Sequence, residues 1–557
     1  MTPLPDRPTG PLSRRRALQL GAAGAVTGLL AACTSTDASS GATTTAPPGA
    51  GSTGAAPTSA TGAGGGPSAD PEWRTPTPPP TSTTAAPDPV PDGAIQDLRS
   101  RLRGNVLSPL DANYPFTALS SNTRYLDVRP AVIARCKDEA DVVTAVNWAR
   151  DNGLPVAPYG GGHSYAGLST TSGLLLDIGA MNDVTVDLAA GTAVVGAAAL
   201  NGDVLDKTIN TPFLLPGGTC LGVGTGGLVL GGGIGYNTHW AGLTCDHLTS
   251  TRVVLASGEV VDADAGQHAD LFWACRGGTG GTFGLNTSFR FQLVQAPATV
   301  VYFRYDYRGA DAATAMLAAV DTLCQTAPAG LNLSSCAQAT PVGDGGPREA
   351  IDAFVRGQYV GPMDEARDLL APFVALGPAK SALQERPFWE VQQQVWPSAN
   401  PEPHSWGDWS RYTRAALPQD RVASMVDLLA QCPVRTDNSN GALWFLGWVG
   451  GDVVGRVGRT DTAYVHRGAP LLLRPTPVWE TADPPSVGQD LLDWTAAQIA
   501  IVADVTPDES YQNFPNRLIP DPLRQYFAEN LDRLIDVKTA YDPDNLFTSE
   551  QAIPVRR

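Results

Sequence analysis

Hydrophobic and polar positions along the chain switch between two periods, and the switches mark its elements. Residues 133–136 read as a short strand, and Asp138 is a suitable N-cap for the helix that follows. Val142, Val143, Val146, Asn147, Trp148 and Ala149 continue that helical pattern. Residues 154–158 form a second short strand that runs into glycines, and 173–178 a third. Residues 184–187 and 192–196 alternate as a hairpin pair. A short helix is expected over 201–207 and a strand–turn–strand over 251–261. Past Thr299, strands at 300–305 and 442–449 intersperse with helices at 312–324, 421–430 and 487–502. Short strands, glycine loops and later helices predict an α+β fold.

The first ninety residues do not share this patterning. Arg14, Arg15 and Arg16 precede an apolar, small-residue stretch over 18–32, too short for a membrane span of roughly 20 residues. Basic and apolar regions in that order are those of a signal peptide, and the adjacent arginines resemble a twin-arginine export signal. Leu30-Ala31-Ala32-Cys33 resembles a bacterial lipobox, which would make Cys33 the lipidated first residue of the exported protein; an ordinary signal peptide with a chance cysteine is the alternative. From 34 to 92 the chain is almost all Thr, Ser, Ala, Gly and Pro, with one aromatic, Trp73. Such a segment buries too little apolar surface to offset its ordering entropy, so a flexible tether is expected. The expected location is the bacterial cell envelope, anchored or secreted.

Composition narrows the function. The chain has 557 residues, enough for two or three domains, and a formal net charge of −17. An acidic chain without clustered Lys and Arg is a poor partner for nucleic acid. Of the eight cysteines none lies in a CxxC pair, so no metal site is expected.

Candidate chemistry lies in the glycine runs. Tyr159-Gly160-Gly161-Gly162-His163-Ser164 and Pro216-Gly217-Gly218-Thr219-Cys220 each end on a nucleophile. Further runs follow at 222–227 and 231–235. Glycine takes positive φ without penalty and lets backbone approach a ligand closely, with N–H groups turned inward as anion nests. Such loops suit a large phosphate-bearing cofactor to which an imidazole and a thiol could both bond. The 231–235 run lacks the strand–turn–helix setting of a dinucleotide fingerprint, which argues against NAD.

These runs, with Gly242-Leu243-Thr244-Cys245-Asp246 and the segment 270–284, resemble the FAD-binding domain of the p-cresol methylhydroxylase/vanillyl-alcohol oxidase superfamily. Tyr541-Asp542-Pro543-Asp544-Asn545-Leu546-Phe547 and Gln551-Ala552-Ile553-Pro554 resemble the tail of its berberine bridge enzyme-like branch. The resemblance implies a two-part FAD-binding domain with covalent-flavin loops over 93–297. It also implies a substrate domain of antiparallel sheet covered by helices over 298–505, and a segment over 506–557 that returns to the FAD domain. It implies FAD attached twice, through His163 and Cys220. Tyr159, Gly160, Gly161, Gly162, Ser164, Gly224, Gly227, Gly232, Gly235 and Asn513 would be cofactor-binding positions.

Tyr511-Gln512-Asn513-Phe514 resembles the family's Tyr-x-Asn-Tyr motif, so Tyr511 is the candidate base. A phenol near pKa 10 needs a positive charge or a donor beside it to serve at neutral pH, and Arg411 and Arg467 are the candidates. Phe514 departs from the motif and lacks the second hydroxyl. Tyr412 and Tyr464 are possible partners. Val223, third after Cys220, occupies the position that gates oxygen in the family, and a small residue there points to an oxidase. The implied reaction takes a hydride from a small-molecule alcohol to flavin N5 and reduces molecular oxygen to hydrogen peroxide. A dehydrogenase with another acceptor, or a surface lipoprotein that keeps the fold for ligand binding, are the alternatives. Setting aside Cys33 and Cys220, six cysteines remain. Cys245–Cys275 and Cys324–Cys336 are close enough in sequence to pair, with buried free thiols the equal alternative. Of the tryptophans, Trp389, Trp396, Trp406, Trp409, Trp444, Trp448, Trp479 and Trp494 cluster in the expected substrate domain, most of them as core.

Overall fold

The computed structural model describes residues 90–117, 120–339, 351–395, 404–433 and 440–556. The expected signal segment, Cys33, the expected tether up to residue 89 and Trp396 lie outside the described residues. Among the described residues no helix is long and apolar enough to cross a membrane.

Three sheets carry the architecture. A four-stranded sheet has the order Asn105–Leu107, Val132–Arg135, Leu174–Asp177, Val156–Tyr159, the last three parallel. The central strands are buried on both faces and read as apolar runs, as parallel strands do. Helix Glu139–Asp151 joins two of them, and the Asp138 carboxylate accepts from the Asp141 N–H as the cap. A five-stranded antiparallel sheet follows, in the order Val184–Asp187, Thr192–Gly196, Leu285–Gln292, Leu248–Val254, Val260–Asp264.

The third sheet is antiparallel and eight-stranded. Its centre runs Thr299–Arg308, Ile351–Tyr359, Leu331–Ala339, Asn440–Leu446, Leu471–Trp479. Helices Ala310–Cys324, Gln419–Ala430 and Pro485–Val502 pack on one face. The α+β expectation holds. Strands Leu331–Ala339, Ile351–Tyr359, Lys380–Pro387 and Leu471–Trp479 and helix Met363–Ala375 were not foreseen. Leu331–Ala339 is buried at every position, so it shows none of the alternation that reveals a half-exposed strand. The expected Cys245–Cys275 and Cys324–Cys336 bridges do not form: Cys245, Cys275 and Cys324 are buried free thiols. Burial pushes all three up from the ordinary thiol pKa, Cys275 to about 11.

Two polar devices fasten the parts. Asn237, Gln392 and Gln358 close a ring of side-chain amides, each donating to the next at 2.7–2.9 Å, between the loop after Tyr236 and the large sheet. At the C-terminus Lys538 and Asp542, both fully buried, pair at 2.6 Å. Lys538 also donates to the carbonyls of Thr282 and Phe547, and Asp542 accepts from the Leu546 and Phe547 N–H groups. Leu546 in turn accepts from Val156, the first residue of the strand that leads to His163. Lys538→Ala should therefore lower unfolding stability by about 3–5 kcal/mol, because Asp542 is left as an uncompensated buried charge. Lys538→Met with Asp542→Leu should cost less than Lys538→Ala alone despite losing both groups. Thermal unfolding of the three proteins checks the order.

Candidate active site

Strand Val156–Tyr159 delivers the loop Gly160–Ser164, and the loop around Cys220 precedes helix Thr225–Leu230. The two loops cross so closely that a Cβ on Gly161 would stand 2.6 Å from the Gly224 nitrogen. Gly162 has φ +67°, and a Cβ there would strike the Tyr159 ring 2.5 Å from its hydroxyl oxygen. Side chains other than hydrogen are excluded at both positions for steric reasons. Asn201 pins the second loop: its N–H donates to the Val223 carbonyl at 2.9 Å and its amide to the Cys220 carbonyl at 2.9 Å. Asn122, with no exposed surface, holds the first by donating to the carbonyls of Tyr165 and Trp406 at 2.8 and 3.0 Å. Neither asparagine belongs to a glycine run, so the sequence carried no sign of its role.

The loops form one wall of a long cleft. Gly160, Gly161, Gly162, His163, Ser164, Cys220, Val223, Gly224 and Gly227 all line it. Opposite stands the large sheet. Its register pairs Ser334 with Leu446 and Trp444 with Arg474, so these four side chains share the face turned to the cleft. Trp448 adds to the same wall, and the segment Tyr511–Pro515 closes one side. Tyr159, Gly232 and Gly235 stand behind the lining: Tyr159 is buried under Gly162, and Gly232 and Gly235 lie against Tyr464 and the Gly217 carbonyl. Trp389, Trp409, Trp479 and Trp494 are core.

His163 turns part of its ring to the cleft, with Trp406 and Tyr165 at ring distances of 5.9 and 6.2 Å. Burial lowers its pKa, which favours the neutral, nucleophilic imidazole. Cys220 is half-buried, with its sulfur 3.8 Å from the Thr219 hydroxyl. A nucleophile thus stands on each of two glycine loops in one wall, in a cradle that added Cβ atoms would fill. These residues fit a flat, phosphate-bearing cofactor.

Tyr511 is 1% exposed. Its oxygen meets three donors: the N–H groups of Gly233 and Ile234 at 3.1 and 3.4 Å and the Asn513 amide at 3.2 Å. Burial nevertheless outweighs them and pushes its pKa up to about 12. The expected arginine partners lie elsewhere. Arg467 is held by Asp246 at 2.6 and 2.8 Å, with its guanidinium over the Tyr464 ring, and Arg411 by Asp508 and Thr506. Each has a carboxylate partner stronger than a neutral phenol. Tyr412 and Tyr464 bond to each other at 2.7 Å in the core. Phe514 faces the cleft, its ring 5.0 Å from Tyr511 and 4.9 Å from Tyr165.

A cleft of crossed glycine loops under an antiparallel sheet defines a flavoprotein of the FAD-linked oxidoreductase class. The family profile described as FAD binding domain matches residues 130–264, and that described as berberine and berberine like matches 510–554. The chain is 30% identical over 466 residues to the uncharacterized FAD-linked oxidoreductase YgaK of Bacillus subtilis, covering 82% of this chain and 98% of that one. It is 27% identical to glucooligosaccharide oxidase of Sarocladium strictum, over 76% of this chain and 87% of the other. A solved structure described by its 6-S-cysteinyl, 8α-N1-histidyl FAD, glucooligosaccharide oxidase from Acremonium strictum, superposes with a TM-score of 0.74 at 24% identity, over 83% of this chain and 99% of that one. The chain belongs to the berberine bridge enzyme-like family of FAD-linked oxidoreductases.

Proposed function

We propose that the protein is an FAD-dependent oxidase that turns a hydroxyl group of a carbohydrate or secondary-metabolite alcohol into a carbonyl group. The observation that carries this reading is the placement of His163 and Cys220 on one cleft wall, beneath a sheet face that offers Trp444 and Arg474 to a substrate. FAD, when bound there, would supply the hydride acceptor for the carbinol carbon and the route of electrons to oxygen as hydrogen peroxide. His163 and Cys220 would hold it from both sides, as the glucooligosaccharide oxidase flavin is held by a histidine and a cysteine. Asn513 would fix the flavin-side loop, since its amide donates to the Leu228 carbonyl at 3.0 Å and its side chain packs on Gly231. Tyr511 would act in removal of the hydroxyl proton from the cleft lining, with three donors orienting its oxygen. Val223, in the cleft lining beside Cys220, would leave room for oxygen.

Domain boundaries near 93, 298 and 506 fit this division of labour. Arg14–Arg16 and the Cys33 lipobox support export and anchoring by a lipid, with the tether as spacer. Flavin insertion before export of a folded chain is consistent with a site that could not be reloaded outside the cell.

Flavin fluorescence should remain with the chain on a denaturing gel, and peptide mass mapping should place it on His163 and Cys220. Flavin-loaded protein with both residues unmodified rejects the double link. After anaerobic reduction by an alcohol, air should reoxidise the wild type fast and Val223→Leu more slowly; a wild type that air barely reoxidises is a dehydrogenase. Tyr511→Phe should slow flavin reduction about 100-fold with the visible spectrum intact. An unchanged rate removes Tyr511 from the chemistry.

A further inference from the structure

The His163 ring has a neighbour from the far end of the large sheet. Trp406 lies on the two-residue edge strand Ser405–Trp406, which pairs with Leu471–Trp479 through Ser405 and Trp479, Trp406 and Val478. Its buried ring stands 5.9 Å from that of His163, tilted by 47°, and His404 packs on it at 5.0 Å. Segment 121–124 stitches this strand to the histidine loop. On one side the Ser121 N–H donates to the Gly162 carbonyl at 3.1 Å and the Asn122 amide to the Tyr165 carbonyl at 2.8 Å, so one bond falls just before His163 and the other two residues after it. On the other side the Asn122 amide donates to the Trp406 carbonyl at 3.0 Å, and Asn122 Oδ1 accepts from the Trp406 N–H at 3.3 Å. The Thr123 N–H donates to the His404 carbonyl at 3.0 Å, and the Thr123 and Ser405 hydroxyls bond at 2.7 Å. Asn122 has no exposed surface, so its bonds form without competition from water. The Cys220 loop is held by another device. Asn201 and the Gly202 N–H, which donates to the Leu221 carbonyl at 3.0 Å, grip it from helix Asn201–Thr208.

We propose that Trp406 and Asn122 are positioning residues for the bond between His163 and FAD: they hold the imidazole at the angle from which it attacks, so the His163 link forms only once the large sheet has docked on the flavin loops, whereas the Cys220 link does not wait for it. The inference rests on the double attachment proposed above. Attachment is an oxidation. His163 forms an N–C bond to a ring-methyl carbon of the flavin, and one C–H proton and the imidazole N–H proton leave to solvent. The two electrons pass through the flavin to molecular oxygen, which takes up two protons and becomes hydrogen peroxide. Burial keeps the imidazole neutral and so supplies the attacking lone pair. Burial does not supply aim, and a displacement of about 1 Å can cost on the order of 100-fold in rate. The Trp406 ring on one side and the two bonded carbonyls at Gly162 and Tyr165 supply it.

The test expresses the full-length chain as wild type, Trp406→Phe, Trp406→Leu, Trp406→Ala, Asn122→Leu and Asn201→Ala. Samples are taken through the hours after induction, and peptide mass mapping reads how much His163 and how much Cys220 carries flavin. The ratio of the two links is the readout, because a general loss of folding lowers both together. At early times Trp406→Ala, Trp406→Leu and Asn122→Leu should lower the ratio of His163 link to Cys220 link at least about tenfold. Trp406→Phe, which keeps a ring against His163, should stay within about twofold of the wild type, and Asn201→Ala should shift the ratio the other way. Trp406→Leu keeps the site filled, so it decides the matter if Trp406→Ala gives no soluble protein. A wild-type ratio in Trp406→Leu overturns the proposal and leaves double attachment in place. An equal fall of both links in that variant also overturns it, since the loss is then structural. A wild type without flavin on His163 overturns the attachment reading and this inference with it.

Discussion

The crossing of two backbones at Gly161 and Gly224 is the constraint on which the site depends. At this separation neither residue can carry a side chain: a Cβ on either would stand within 3 Å of the other's backbone nitrogen. The contact brings the ends of two loops that start 57 residues apart in sequence, those of His163 and Cys220, to one cleft wall. Polar, directional bonds buttress the crossing. Asn201 grips one loop and Asn122 the other. The buried Lys538–Asp542 pair ties the flavin-side turn at Thr282 to the tail that bonds strand Val156–Tyr159. A buried pair of this kind adds little net stability, but its directional bonds favour one arrangement of three segments over looser ones.

Above this wall the chemistry is set by sheet register. Antiparallel pairing puts residues directly opposite one another on the same face, so Trp444 and Arg474 arrive at the cleft together, with Ser334 and Leu446 beside them. A slip of one residue in strand Leu471–Trp479 would turn Arg474 into the helix-covered side. The amide ring of Asn237, Gln358 and Gln392 holds the sheet to the flavin loops, and each member has its hydrogen bonds satisfied by the other two. The two walls are therefore fixed relative to each other by bonds whose loss would bury unpaired amides.

Much of the flavin half was legible in the chain itself. Glycine runs ending in His163 and Cys220 are local signals, because the need for positive φ and close backbone approach falls on single residues. The Asp138 cap, the helix it opens and the hairpin at 184–196 are local for the same reason. The half after Thr299 was legible only in part. Its strands are buried on both faces or carry prolines, so their period is weak, and Leu331–Ala339 and Leu471–Trp479 went unseen. Arg411 and Arg467 were reasonable partners for a phenol by charge alone, yet each sits on a carboxylate that the sequence did not place beside it.

By itself, then, the sequence determined the family and the cofactor class, and it singled out His163 and Cys220 as candidate nucleophiles and Phe514 as a departure from the motif, since each resides in a residue type at a fixed spacing. Only the tertiary structure decided which groups share the cleft. It set the Phe514 ring between those of Tyr511 and Tyr165, and brought Arg474 from a strand more than 300 residues along the chain to the Tyr165 oxygen. Contacts between residues so distant in sequence follow from packing and register, and no local pattern encodes them.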